Sequence, residues 1–201
     1  VGYLKNSNLK PEYVFSNLDK NWDWSILSSN RNFTWKHIYE YFYLEWDWKY
    51  VSMNCNITPE IIEKYKNFPW DWNWMSLNIN LTWDFIERNM DKGWCWIWLS
   101  GGHFITIDII LDNIELNWDF KELSRNNKIR FNKIIENKHL PWNYEYLSQH
   151  YCIEIDYVKN HMEYGWDWSH ISKNFGIKWP DIKNNPELPW DWGHVSANYH
   201  I

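Results

Sequence analysis

Trp70 to Gly93 reads WDWNWMSLNINLTWDFIERNMDKG, and this pattern recurs along the chain. Trp stands at 22, 46, 70, 94, 118, 142, 166 and 190, every interval being 24 residues with no insertion. A fixed period of this length marks a repeat architecture and is read before secondary structure. With each copy numbered from that Trp, position 3 is aromatic in all eight: Trp24, Trp48, Trp72, Trp96, Phe120, Tyr144, Trp168 and Trp192. Position 6 is aliphatic or Met, and position 7 is always Ser, from Ser28 to Ser196. Position 9 is Asn in six copies, with Gly102 and His150 as exceptions. Position 12 is apolar throughout, and position 17 is Ile or Val in the seven complete copies. Positions 1, 3, 5 and 14 account for all 19 Trp, so no separate Trp-lined pocket is needed to explain them.

Each copy reads as two short helices, over roughly positions 3–8 and 14–20. Asp71 is placed to cap the first helix, its carboxylate accepting from the open amides of the first turn. Trp70 before it and Met75 after it have the spacing of a hydrophobic staple. Thr82 caps the second helix, with Leu81 and Ile86 as its staple, and Pro59 follows Thr58 at a first helical position. Asn78 and Gly102 suit a left-handed helix end. A leucine-rich repeat is excluded because position 4, apolar in such strands, reads Ser25, Lys49, Asn73, Ile97, Lys121, Glu145, Ser169 and Gly193. Helices this short need stacking for stability. The expected fold is therefore all-α, an α-solenoid of two-helix hairpins. The recurrent Ser is read as a packing residue whose hydroxyl bonds back to a carbonyl one turn earlier.

Composition narrows the function classes. Of 201 residues, 20% are aromatic, which excludes disorder, and no apolar run is long enough to span a membrane. A net charge of −6 argues against a protein devoted to neutralising phosphates. Cys55, Cys95 and Cys152 form no CxxC pair, which fits a reducing compartment and an intracellular, non-secreted protein. The abundance of Ile, Asn, Lys, Tyr and Phe beside a single Ala (Ala197) looks like an AT-rich coding bias.

The unit P-W-D-W-x-x-L-S-x-N-x-x-I-T, nearly intact from Pro69 to Thr82, resembles the Trp-Asp-Trp repeat proteins of giant nucleocytoplasmic DNA viruses. The resemblance covers almost the whole chain. It implies a virus-encoded intracellular protein of host cytoplasm, viral factory or virion, and brings no activity or catalytic residue. The fourth to seventh copies depart from the pattern, with Cys95 and Asn143 for Asp, and Arg130, Glu154 and Lys178 for the capping Thr.

The whole chain, 1–201, reads as one array. A partial repeat over 1–21 precedes copies starting at 22, 46, 70, 94, 118, 142 and 166, and 190–201 is a partial last copy. No signal peptide is visible, but the chain opens at Val1, leaving room for a leader or further domain. Neither end shows a polar capping repeat. The array is then a fragment of a longer one, a protomer stacking head to tail, or a closed ring.

No catalytic, cofactor-binding or metal-ligating constellation stands out. His170 and His194 share position 5 on neighbouring copies, too far apart for one zinc without further ligands. His150 and Cys152 are alternate residues in a turn and form no known dyad. The sequons at Asn32, Asn56 and Asn80 recur at one position and are explained by loop and cap chemistry. Binding residues are sought where the copies differ. Position 5 reads Ile26, Tyr50, Trp74, Trp98, Glu122, Tyr146, His170 and His194. With positions 4 and 8 it makes one stripe, a ladder for an extended peptide or for nucleobases, or else rings covering the next hairpin. The fourth copy carries Ile97, Trp98, Phe104, Ile107, Ile109 and Leu111, more apolar surface than one hairpin hides. These residues favour a non-enzymatic scaffold that binds a protein partner or copies of itself. The alternative is a repeat-type nucleic-acid binder using the position-5 aromatics and the fifth copy. There Lys121, Arg125, Lys128, Arg130, Lys133 and Lys138 face three carboxylates, Asp119, Glu122 and Glu136. Such a run is otherwise a solvated face.

Overall fold

The computed structural model describes residues 8–199 and 201; the opening of the first partial repeat, 1–7, and residue 200 of the last lie outside the described residues. Among the described residues every regular element is a helix. The chain divides into two compact units, Val1–Cys95 and Trp96–Ile201. The first holds α1 (Pro11–Phe15), α2 (Trp24–Ser29), α3 (Trp35–Glu40), α4 (Trp48–Ser52), α5 (Pro59–Lys64), α6 (Trp72–Met75) and α7 (Trp83–Glu87). The second holds α8 (Trp96–Ser100), α9 (Ile107–Asp112), α10 (Phe120–Ser124), α11 (Phe131–Glu136), α12 (Tyr144–Leu147), α13 (Ile155–Lys159), α14 (Trp168–Ser172), α15 (Trp179–Asn184) and α16 (Trp192–Ser196). Every helix opens at position 3 or position 14 of its copy, so each unit is a stack of the two-helix hairpins expected from the sequence. First helices pack on first helices: α2 on α4 and α4 on α6 in one unit, α8 on α10, α10 on α12 and α14 on α16 in the other.

The caps are chemical. The Asp71 carboxylate accepts from Trp74 N–H at 2.9 Å, Asp119 from Glu122 at 2.9 Å, and Asn143 serves equally for Tyr146 at 3.0 Å. Thr82 and Thr106 cap second helices, each at 3.3 Å from the third amide. Arg130 and Glu154 supply no side-chain cap. At Lys178 the reach is reversed, Asp181 accepting from the Lys178 N–H at 2.7 Å.

The left-handed helix end expected at position 9 is corrected. Asn30, in the same column as Asn78, has φ −77° and ψ 126°, an extended conformation. Gly102 is not left-handed either. A Cβ there would stand 2.7 Å from the Phe104 ring and 2.8 Å from the Leu99 carbonyl oxygen, so close approach favours Gly in this copy.

What position 9 does is join copies. Asn54 Nδ2 donates to the Ser28 carbonyl at 2.8 Å and Asn78 Nδ2 to the Ser52 carbonyl at 2.8 Å, while Asn126 and Asn174 reach Ser100 and Ser148 at 2.9 and 3.0 Å. Their Oδ1 atoms accept from the N–H two residues on, as Asn54 does from Asn56 at 2.9 Å. The Ser column adds two more bonds. Ser52 Oγ donates to the Trp48 carbonyl, the bond expected from the sequence, and accepts the N–H of Asp71 from the next copy. Ser28, Ser76, Ser100, Ser124, Ser148 and Ser172 accept the equivalent N–H at 2.8–2.9 Å.

The position-1 indoles close the pattern. All eight donate Nε1–H to the carbonyl five residues earlier, at the end of the preceding second helix, with lengths of 2.8–2.9 Å. Each of the rings from Trp46 onward also meets the position-3 ring of the preceding copy edge-on; Trp48–Trp70 and Trp168–Trp190 are examples, at 5.4 and 5.3 Å. Positions 6, 12 and 17 fill the space between, with Leu99, Ile105 and Ile110 fully buried.

Candidate interaction grooves

The recurrent side chains are thus engaged in packing, and a ligand is left with the surfaces between helices. In the first unit, grooves of about 320 and 310 Å³ lie between Phe15 and Tyr41 and between Glu63 and Arg88, along the second helices. In the second unit two open grooves fall at equivalent positions. One, of about 330 Å³, is lined by Gly101 and His103 of one copy and by Glu122, Arg125, Asn126, Asn127 and Lys128 of the next. The other, of about 350 Å³, lies between Gln149 and the set His170, Lys173, Asn174 and Phe175. Both volumes are at the low end for small-ligand clefts. They suit one or two side chains of an extended segment. Positions 5 and 8 were legible as a stripe in the sequence. Position 10, which brings His103, Asn127 and Phe175, was not, because it lies in the turn beyond the helix.

The charged groups are partly engaged already. Arg125 grips Glu122 through Nε and Nη2, at 2.9 and 2.7 Å, and its guanidinium lies 5.7 Å from the Tyr146 ring centre. Lys133 pairs with Glu136 at 2.5 Å. Lys121, Lys128 and Arg130 are exposed. His170 Nδ1 lies 2.6 Å from Asp167 Oδ2, and His194 Nδ1 lies 2.8 Å from Asp191 Oδ2. Each Asp therefore caps its helix, and Asp167 also orients the His170 imidazole, whereas the His194 ring lies close to Asp191 without a well-directed hydrogen bond. Burial works to raise the Asp167 pKa, but hydrogen bonds from the Ser169 hydroxyl and from His170 outweigh it and hold it well below the usual carboxylate range. Asp191 is lowered too, first by the His194 N–H and then by its ring. Among the described residues no third ligand joins either histidine into a metal-holding group.

The other position-5 residues are dispersed. Tyr50 and Trp74 are half-buried and meet each other at 5.4 Å in the first unit, covering the seam between their copies. In the fourth copy Ile97 is 53% exposed and Trp98, Phe104 and Ile109 are half-buried. Ile107 is in the core, at the position Phe131 and Ile155 occupy in later copies, and is removed from any contact face.

Two features escaped the sequence reading. Tyr13, Tyr39, Phe42 and Tyr43 are exposed along the second helices and following turns of the first unit. They occupy different repeat positions, so no column of the repeat signals them. The sequon nitrogens are also engaged: Asn56 Nδ2 donates to the Arg31 carbonyl at 2.7 Å and Asn80 Nδ2 to Cys55 at 2.8 Å. All three cysteines are free thiols.

Among the described residues no helix is long and apolar enough to cross a membrane. Comparison with protein-family models, with curated proteins and with solved structures gives no match.

Proposed function

We propose that the protein is a non-enzymatic interaction scaffold whose grooves between first helices hold an extended segment of a protein partner. One observation carries this reading: at positions where copies differ, side chains line equivalent open grooves, while the recurrent Trp, Ser and Asn are engaged between copies. Lys173 and His170 beside the ring of Phe175 suit a segment with a carboxylate next to an apolar side chain. The nucleic-acid reading is weaker, because Glu122 and Glu136 neutralise Arg125 and Lys133. On the motif alone, we read the chain as a virus-encoded repeat protein working inside the infected cell.

The test is a random peptide library panned on the chain. Selected peptides should bind wild type at least about tenfold more tightly than a Phe175→Ala, Lys173→Glu variant of unchanged stability. Ligands indifferent to that variant would overturn the groove assignment. Light scattering over a hundredfold concentration range separates the self-assembly form of the scaffold, in which mass grows from 25.0 kDa without fixed stoichiometry.

A further inference from the structure

His150 stands where six other copies carry Asn. Its titratable ring keeps that column's turn bond and makes the bond to the preceding copy that Asn78 makes to Ile57, in place of the column's bond to the position-7 Ser carbonyl. Its side chain is fully buried, at 0% exposure. Nε2 lies 2.8 Å from the carbonyl of Ile129, in the preceding copy, as Asn78 Nδ2 lies 3.1 Å from that of Ile57. Nδ1 takes the backbone N–H of Cys152 at 3.3 Å, as Asn54 Oδ1 takes that of Asn56. A backbone N–H can only donate and a carbonyl can only accept, so the ring is held neutral with its proton on Nε2.

The surroundings hold that form. From its own turn Tyr151 stacks on the ring at 5.3 Å, and Cys152 offers its N–H. From the fifth copy come the carbonyls of Ile129 and Asn126 and the ring of Phe131 at 5.9 Å, with Arg130 exposed beside them. From the seventh, Asn174 Nδ2 donates to the carbonyl of His150 itself at 2.9 Å. Burial lowers the imidazole's pKa from 6.5, the two carbonyls raise it by less, and no carboxylate contributes.

We propose that His150 is a proton-sensitive joint between the fifth and sixth copies, opened when a second proton on Nδ1 meets the N–H of Cys152. An Asn in this column makes its turn bond and its bonds to the preceding copy at any pH. The His copy makes its two bonds only while neutral, and a charged ring has no water to solvate it there. The same residue's carbonyl anchors Asn174, so loosening reaches the seventh copy. The joint stands whether or not the grooves bind a partner.

Amide exchange between pH 7.5 and 5, corrected for the intrinsic rate, reads the joint directly. Protection over 148–153 should fall by up to about tenfold per pH unit below the ordinary histidine value, the slope for one proton. Protection over 52–57, around Asn54, serves as reference in the same molecule. In His150→Asn the segment 148–153 should follow that reference. Parallel behaviour of the two segments in wild type, or an unchanged fall in His150→Asn, would overturn the proposal. Should the variant not fold, NMR of the wild-type ring decides. A neutral Nε2–H tautomer persisting below pH 6.5, with protonation coinciding with loss of protection, supports the joint; ordinary titration without such loss overturns it.

Discussion

The hydroxyl of Ser52 gives its proton to the Trp48 carbonyl at 2.7 Å and takes the N–H of Asp71, nineteen residues on, at 2.9 Å. One oxygen thus ties a helix to itself and to its neighbour. At Ser52 the choice of residue is narrow: Ala lacks the oxygen, and a larger side chain has no room at 0% exposure.

Ser52→Ala should therefore destabilise the chain by roughly 1–3 kcal/mol, the cost of leaving the buried N–H of Asp71 without an acceptor. Ser196→Ala, at the same repeat position but exposed, should change stability by about 0.5 kcal/mol or less. Urea unfolding of both variants checks the pair. Equal effects would mean that the bond to the following copy carries little weight.

Trp118 separates ring burial from hydrogen bonding. Trp118→Phe keeps most of the ring but loses the 2.8 Å bond to the Asn113 carbonyl, and should cost about 1–2 kcal/mol. Trp118→Ala also opens a cavity beside Trp96 and should cost roughly 3–5 kcal/mol. If Phe restored full stability, the indole N–H would not explain why position 1 is Trp in every copy.

Asp167 should leave a trace at acid pH. Its folded pKa is depressed, so its contribution is complete above the ordinary value of 3.8 and is lost as pH falls below it. Wild type should melt above Asp167→Asn at pH 6, with the difference shrinking towards pH 2.5. Since the carboxylate is partly exposed, the gap should stay at or below about 1 kcal/mol. A difference that grows on acidification would reverse the sign argued here.

Salt distinguishes the two classes of partner. Groove binding should weaken less than about threefold between 50 and 200 mM salt, whereas a protein neutralising several phosphates loses orders of magnitude. Lys121→Glu with Arg130→Glu, two exposed residues that line neither groove, should leave a groove-bound peptide's affinity within about threefold. Trp98→Ala with Phe104→Ala should also spare it, unless the exposed edge at Ile97 is the contact face. Loss of binding in the second pair alone would move the site to the fourth copy.

Much of the fold was legible in the linear chain. The 24-residue period, the helix starts at positions 3 and 14, the Asp and Thr caps and the buried columns 6, 12 and 17 all follow from interactions within a few residues. Local chemistry decides those, and neighbours in sequence are visible without a structure. The left-handed end expected at position 9 fails at Asn30 and Gly102 for the complementary reason: the column's amides reach back to the preceding copy, as Asn78 does over 26 residues to Ser52, and no local rule separates that from a left-handed cap. Ile107 was misplaced because its burial depends on the packing around its hairpin.

Sequence by itself determined that this chain is a helical repeat and which columns form its core, since eight copies average away accident. Only the tertiary structure decided why Trp, Ser and Asn recur, that position 10 shares a groove with positions 5 and 8, and that His150 substitutes for an amide. Those facts depend on atoms brought together from 5 to 26 residues apart. Stacking sets such distances, and stacking is a property of adjoining copies that no single copy's sequence contains.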